Sequence, residues 1–187
     1  MSPITTWIFP GQGSQAVGMG SEALAASPAA RAVLAEAEAA LGEKIGALIA
    51  NGPSDALERT EQAQPAILII SIALLEAARE RAAARGETLE TPNFAAGHSA
   101  GQYAAAVAAG ALSIGDAVKL ARIRGDLMQT SGGGRPGAMA AILGLPESEE
   151  SRIVAEGAAR GVLVLANRNS PGPVSYTHLT LPTNREV

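Results

Sequence analysis

The chain has 187 residues, a net charge of −4, 47% hydrophobic but only 3% aromatic residues, and no cysteine. It is long enough to bury a sizeable core, as one domain or as one domain with a smaller attachment, built mainly from Ala, Leu, Ile and Val. The lack of cysteine excludes disulfides, thiolate nucleophiles and Cys-type metal sites together, and the modest charge excludes a chain-wide attraction to nucleic acid or an anionic membrane. No charged-then-apolar leader precedes Ile4, and the longest apolar run, residues 65–75, is too short to span a bilayer. A soluble, cytoplasmic protein is expected.

In chain order, residues 4–9 form a β-prone run ended by Pro10-Gly11, which predicts a buried strand and then a loop. The loop, Gly11-Gln12-Gly13-Ser14-Gln15-Ala16, matches G-x-G-x-x-A, so a dinucleotide site has to be weighed. That fingerprint also needs a second strand with an acidic residue near its end, about 20 residues on. Here Ser27 and Pro28 instead mark the N-cap and first turn of a helix over 28–41, which argues against it. No Gly-Lys-Ser/Thr follows, so a Walker loop is excluded.

A short helical piece is expected over 45–50, a turn at Asn51-Gly52-Pro53, and a short helix over 54–59 capped by Ser54. Residues 64–85 read as a long helix with Pro65 tolerated in its first turn and Gly86 as its stop. Its first half is apolar all round and should be buried. Arg79, Arg81 and Arg85 crowd its far end, either as a solvated face or as a docking patch for an anionic partner.

A polar link then leads to Phe94-Ala95-Ala96 and Gly97-His98-Ser99-Ala100-Gly101, the G-x-S-x-G pattern of a nucleophile elbow between a strand and a helix. Glycines on both sides of the serine let the backbone turn sharply and leave Ser99 Oγ at the tip. The N–H of Ala100 would face the same spot and can be one half of an oxyanion hole. The alternative is a small-residue turn without chemistry. The elbow helix should end near Gly110.

Ser113 with Asp116 makes a capping-box start for a helix over 114–129. At about 100° per residue, Ile114, Ala117, Val118, Leu120, Ala121, Leu127 and Met128 share one broad face, with Lys119, Arg122, Asp126 and Gln129 opposite. Arg124 falls within the apolar face. A buried guanidinium needs an anionic partner, so Arg124 is expected in an internal ion pair, or snorkelling to water, or as a fixed cation awaiting a ligand carboxylate, which its planar fork can bind through both oxygens. After a link at Gly132-Gly133-Gly134, a strand over 138–143, a polar helix over 146–160 and a strand over 162–165 read as the start of a small α+β unit.

Seven separated motifs, in order, resemble the bacterial malonyl-CoA:acyl-carrier-protein transacylase family: Phe9-Pro10-Gly11-Gln12-Gly13-Ser14-Gln15, Gln62-Ala63-Gln64-Pro65-Ala66, Gly97-His98-Ser99-Ala100-Gly101-Gln102-Tyr103, Arg124-Gly125, Met128-Gln129, Gly137-Ala138-Met139-Ala140-Ala141 and Asn169-Ser170-Pro171-Gly172. The resemblance covers about residues 4–172. It implies an α/β fold: an α/β-hydrolase-like large subdomain around a parallel sheet, begun by residues 1–133, with an inserted ferredoxin-like small subdomain begun by residues 134–172 and left incomplete. It further implies that Ser99 takes a malonyl group from malonyl-CoA as an ester. The phosphopantetheine thiol of acyl carrier protein then removes it, in a two-step transfer without a metal or bound cofactor. Backbone N–H groups of Gln12 and Ala100 would hold the oxyanion, and Arg124 would grip the malonyl carboxylate.

The family's general base is a histidine far downstream of the elbow. His98 directly precedes the nucleophile, where neighbouring side chains diverge, and His178 lies past the resemblance, so this chain alone is expected to be inactive. Residues 173–187 contain no Ala and no Gly, and they are expected to be a non-native tail joined to a truncated gene. The resemblance implies malonyl-CoA and acyl carrier protein as partners, no nucleic acid or membrane, and a monomer when full length; the start at Met1 suits a stand-alone enzyme. A related polyketide-synthesis acyltransferase, a serine hydrolase such as a thioesterase, and an inactive fragment that binds acyl carrier protein are the competing readings.

Overall fold

A computed structural model describes residues 4–130, 137–142, 146–168 and 177–182. The chain divides into two units, Met1–Thr130 and Ser131–Val187. In the first, strand β1 (Thr6–Phe9) is followed by helices α1 (Ser21–Ala26), α2 (Pro28–Leu41), α3 (Ile45–Asn51), α4 (Ser54–Glu58) and α5 (Thr60–Ala83). Strand β2 (Phe94–Gly97), α6 (Gly101–Ala108) and α7 (Ile114–Thr130) complete it. The fold is α/β. β1 and β2 pair in parallel, Thr6 opposite Phe94 through Phe9 opposite Gly97, so the loops that leave their C-terminal ends emerge side by side. Ligand sites of open parallel sheets lie at such ends.

The core is centred on α5, where residues 63–70 are buried without interruption because α2, α6 and α7 pack around it. An amphipathic stripe would not serve a helix enclosed in this way, and the sequence accordingly shows none. The helix begins one turn earlier than expected. Pro65 therefore lies inside it, and its ring nitrogen cannot donate the i to i−4 bond.

Four other expectations are corrected. Residues 21–26 form α1, which the loop reading did not anticipate, and Ser54 is the first residue of α4 rather than its cap, its hydroxyl meeting Glu58 Oε1 at 3.1 Å. β1 is not buried on both faces. Trp7 and Phe9 face the helical core, but Ile8 is 78% exposed and Phe94, on the same face of the neighbouring strand, is 62% exposed, because no described element covers that side. On α7 the buried stripe is Ile114, Ala117, Val118, Ala121 and Gly125, while Leu120, Leu127 and Met128 are exposed. Arg122 and Arg124 flank this narrower stripe, each about 80° from its centre. Arg79, Arg81 and Arg85 are exposed, as a solvated face requires; Arg79 also pairs with Glu76 at 2.6 Å, and its guanidinium lies 5.5 Å from the Trp7 ring centroid.

Two other caps follow the sequence. Ser27 Oγ accepts from Ala30 N at 3.0 Å at the start of α2, and Ser113 Oγ accepts from Asp116 N at 3.0 Å at the start of α7. In the second unit, β3 (Gly137–Ile142), α8 (Glu147–Ala158), β4 (Val164–Arg168) and β5 (Thr177–Pro182) form an antiparallel sheet in the order β3-β5-β4, with α8 against β4. β5 lies within the segment 173–187 that the composition sets apart. The link at 132–134, the Asn169-Ser170-Pro171-Gly172 motif and residues 183–187 lie outside the described residues.

Candidate active site

The elbow is a sharp turn from β2 into α6. Ser99 has φ 51°, the one positive φ of a non-glycine among the described residues. A left-handed conformation is costly for a residue with a Cβ, and here the turn is enforced by close packing. A Cβ at Gly97 would collide with the Gly101 backbone, and one at Gly101 would lie 2.5 Å from the Pro10 carbonyl oxygen. Gly101 N donates to His98 O at 2.9 Å and Gln102 N to Ser99 O at 3.3 Å, closing the turn into the helix. Ala100 is the N-cap of α6 and is 2% exposed, so its backbone sits at the end of a helix where N–H groups lack intrahelical partners.

The Gln12 loop reaches the elbow through the same packing. His98 N donates to Phe9 O at 3.0 Å, and a Cβ at Gly11 would meet the His98 carbonyl oxygen and lie 3.0 Å from its Nδ1. The loop is a tight turn in which Ser14 Oγ donates to Gly11 O at 2.7 Å and Gly13 N to Gln15 Oε1 at 2.8 Å. Gln12 turns its side chain away, donating from Nε2 to Thr60 Oγ1 at 3.2 Å.

Arg124 is half-buried at the edge of α7. Its guanidinium donates to Ser99 Oγ at 3.0 Å and to Gln64 Oε1 at 2.5 Å. Gln64 is fully buried on α5, and its Nε2 donates to Met128 Sδ at 3.3 Å. Among the described residues no carboxylate pairs with Arg124, whereas Arg122, on the other flank of the same helix, pairs with Glu43 and also meets Gln62 Oε1 at 3.2 Å. A cation lodged against a hydroxyl and an amide has unmet capacity for an anion. The lone pair of Ser99 Oγ that accepts from Arg124 is occupied while the contact lasts.

The structure thus brings Ser99 and Arg124 together, places Ala100 at the helix end behind the serine, and packs the Gln12 loop against the elbow. His98 makes no hydrogen bond to Ser99 Oγ among the described residues; its side chain lies against Gly11. His178 is in β5, opposite Ala141. Sequence reading missed Gln64 as a site neighbour. It stood in a quoted motif, and a glutamine within an otherwise apolar helix was the available signal. Among the described residues there is no cluster of His, Cys, Asp and Glu that could hold a metal, and no helix long and apolar enough to cross a membrane.

Comparison with known proteins places these loops in a family. The chain is 44% identical over 169 residues to the malonyl CoA-acyl carrier protein transacylase of Bacillus subtilis (strain 168), covering 90% of this chain and 51% of that relative. An acyl-carrier-protein-S-malonyltransferase from Bartonella henselae superposes with a TM-score of 0.81 at 36% identity, over 95% of this chain and 55% of that one. A malonyl-transacylase solved in complex with its type II PKS acyl-carrier protein gives 0.82 at 34% identity, over 97% of this chain and 56% of that one. The chain thus spans about half the length of the relatives it matches. The profile of the acyl transferase domain matches residues 6–178, a stretch that contains the strained serine, the Gln12 loop and Arg124, and the chain belongs to that family.

Proposed function

We propose that the protein to which this chain contributes transfers a malonyl group from malonyl-CoA to the phosphopantetheine thiol of acyl carrier protein. Ser99 Oγ attacks the thioester carbonyl, the resulting oxyanion rests on the N–H groups of Gln12 and Ala100, and the carbon–sulfur bond breaks to release coenzyme A. The carrier thiol then attacks the malonyl-serine ester, and the serine oxygen leaves. A general base takes the serine proton and passes it to the departing coenzyme A sulfur; in the second step it takes the proton of the carrier thiol and passes it to the departing serine oxygen. The family assigns that base to a histidine other than His98.

The observation that carries this reading is Arg124, half-buried, 3.0 Å from Ser99 Oγ and bonded, among the described residues, to neutral partners only. An acyl group with a free carboxylate gives it the missing anion, and in doing so draws it off the serine. An acetyl group offers neither gain. The names of the relatives support malonyl as the acyl group, and the complex with a carrier supports the acceptor.

The same reading takes residues 1–133 as the beginning of an α/β-hydrolase-like subdomain and residues 134–172 as the beginning of a ferredoxin-like one, with 173–187 joined from unrelated sequence. The test is transfer to holo acyl carrier protein by the whole protein, with malonyl-CoA and acetyl-CoA in parallel. Wild type should prefer malonyl, and Arg124→Ala should lose about a hundredfold or more in malonyl kcat/KM while acetyl transfer does not fall in step. An unchanged preference in Arg124→Ala would refute the arginine's role.

A further inference from the structure

The Gln12 loop owes its shape to bonds within itself, but those bonds do not fix where it stands over the elbow. Contacts to the elbow and to α5 do that. Gly11 rests on the His98 backbone, and Gln12 Nε2 donates to Thr60 Oγ1 at 3.2 Å, across 48 positions of sequence. Thr60 is the first residue of α5, where the N-cap is Arg59 and no side chain caps the helix, so its hydroxyl is not spent on the helix end. A β-branched side chain has few rotamers, which makes that oxygen a well-placed acceptor.

The backbone of the same turn is itself clamped. A Cβ at Gly125 would lie 2.8 Å from Thr60 O and 2.5 Å from Glu61 Cα, so the start of α5 lies against the α7 backbone immediately beside Arg124. Gln64, which bonds Arg124, is one turn along from Thr60 on the same face of α5. One rigid turn of helix therefore carries the anchors of both the Gln12 loop and the arginine.

We propose that Thr60 is a positioning residue, holding the Gln12 loop so that its backbone N–H meets the oxyanion formed at Ser99. The proposal rests on the acyl-transfer reading above and adds a residue to which that reading gives no role. Site groups must be held within about 0.5 Å of productive geometry, and a loop released from Thr60 retains its internal turn but not its place.

The test compares Thr60→Val, which keeps the shape and removes the acceptor, with Thr60→Ser, which keeps the acceptor, both in the whole protein. Two readouts are taken: malonyl transfer, and the rate at which a fluorophosphonate probe labels Ser99, a reaction in which the serine oxygen displaces fluoride and a P–O⁻-like charge develops at the oxyanion position. Removing an oxyanion donor outright costs about 10²–10³, and loosening one should cost about tenfold. Thr60→Val is expected to label about tenfold more slowly and to lower kcat with KM for malonyl-CoA within about twofold, while Thr60→Ser matches wild type. Wild-type labelling by Thr60→Val, or equal slowing in Thr60→Ser, overturns the proposal. If wild type labels at Ser99 but transfers no malonyl, the malonyl reading fails and the labelling rates alone decide the role of Thr60. Absence of Ser99 labelling in wild type overturns both.

Discussion

Gln64 is the neutral half of a contact that several other arginines make with charge. Arg59 pairs with Glu61, Arg79 with Glu76 and Arg122 with Glu43, but Arg124 meets an amide. A carboxylate at 64 would satisfy Arg124 internally and compete with a malonyl carboxylate. Gln64→Glu is therefore expected to raise KM for malonyl-CoA by about tenfold or more, with the fold retained, as read by steady-state kinetics. An unaltered KM would show that the carboxylate is bound elsewhere. Ser99 and Arg124 were legible in the sequence because each breaks a local rule, one as a serine between glycines and the other as a cation within an expected apolar face, although the structure sets it at the edge of a narrower stripe. Gln64 and Thr60 break none strongly. Their partners lie 60 and 48 positions away, and only the packed structure brings them together.

At the level of elements, the junction of α5 and α7 sets the geometry of the site. Gly125 permits the close approach, since a Cβ there would press on backbone atoms of Thr60 and Glu61 that cannot swing aside. Gly125→Ala should destabilise the whole protein by about 1–3 kcal/mol, seen as a lower denaturant midpoint, because overpacking against backbone is relieved only by moving a helix. A midpoint equal to wild type would mean that the junction yields freely. Helix positions were readable from caps at Ser27 and Ser113 and from the stop near Gly86, where local chemistry decides. The start of α5 was not, because Pro65 is normally a first-turn signal and here lies within the helix. Nor was the true face of α7, where burial follows the approach of α5 rather than the apolar residues alone.

For the molecule as a whole, the parallel pair β1 and β2 presents two unlike faces. One face packs on the helices and supports the elbow, while Ile8 and Phe94 stand exposed on the other. Exposed apolar groups on a two-stranded sheet invite association. The 187-residue chain expressed alone is expected to self-associate, with Ile8→Thr and Phe94→Thr together reducing the effect in sedimentation and dye-binding measurements; a monomeric chain with cooperative unfolding would contradict this. The strand–loop and strand–elbow segments were foreseeable from apolar runs ended by Pro10-Gly11 and by the G-x-S-x-G turn, and their parallel pairing from the family resemblance alone. The exposure was not, since burial depends on what the remainder of a sheet supplies.

The central claim is that Ser99 carries the acyl group and Arg124 selects it. The most direct measurement is intact-mass spectrometry of the whole protein after brief incubation with malonyl-CoA, beside Ser99→Ala and beside wild type given acetyl-CoA. A covalent malonyl adduct that is absent from Ser99→Ala and exceeds the acetyl adduct is the predicted result. A malonyl adduct that persists in Ser99→Ala, or acetyl loading equal to malonyl, would contradict it.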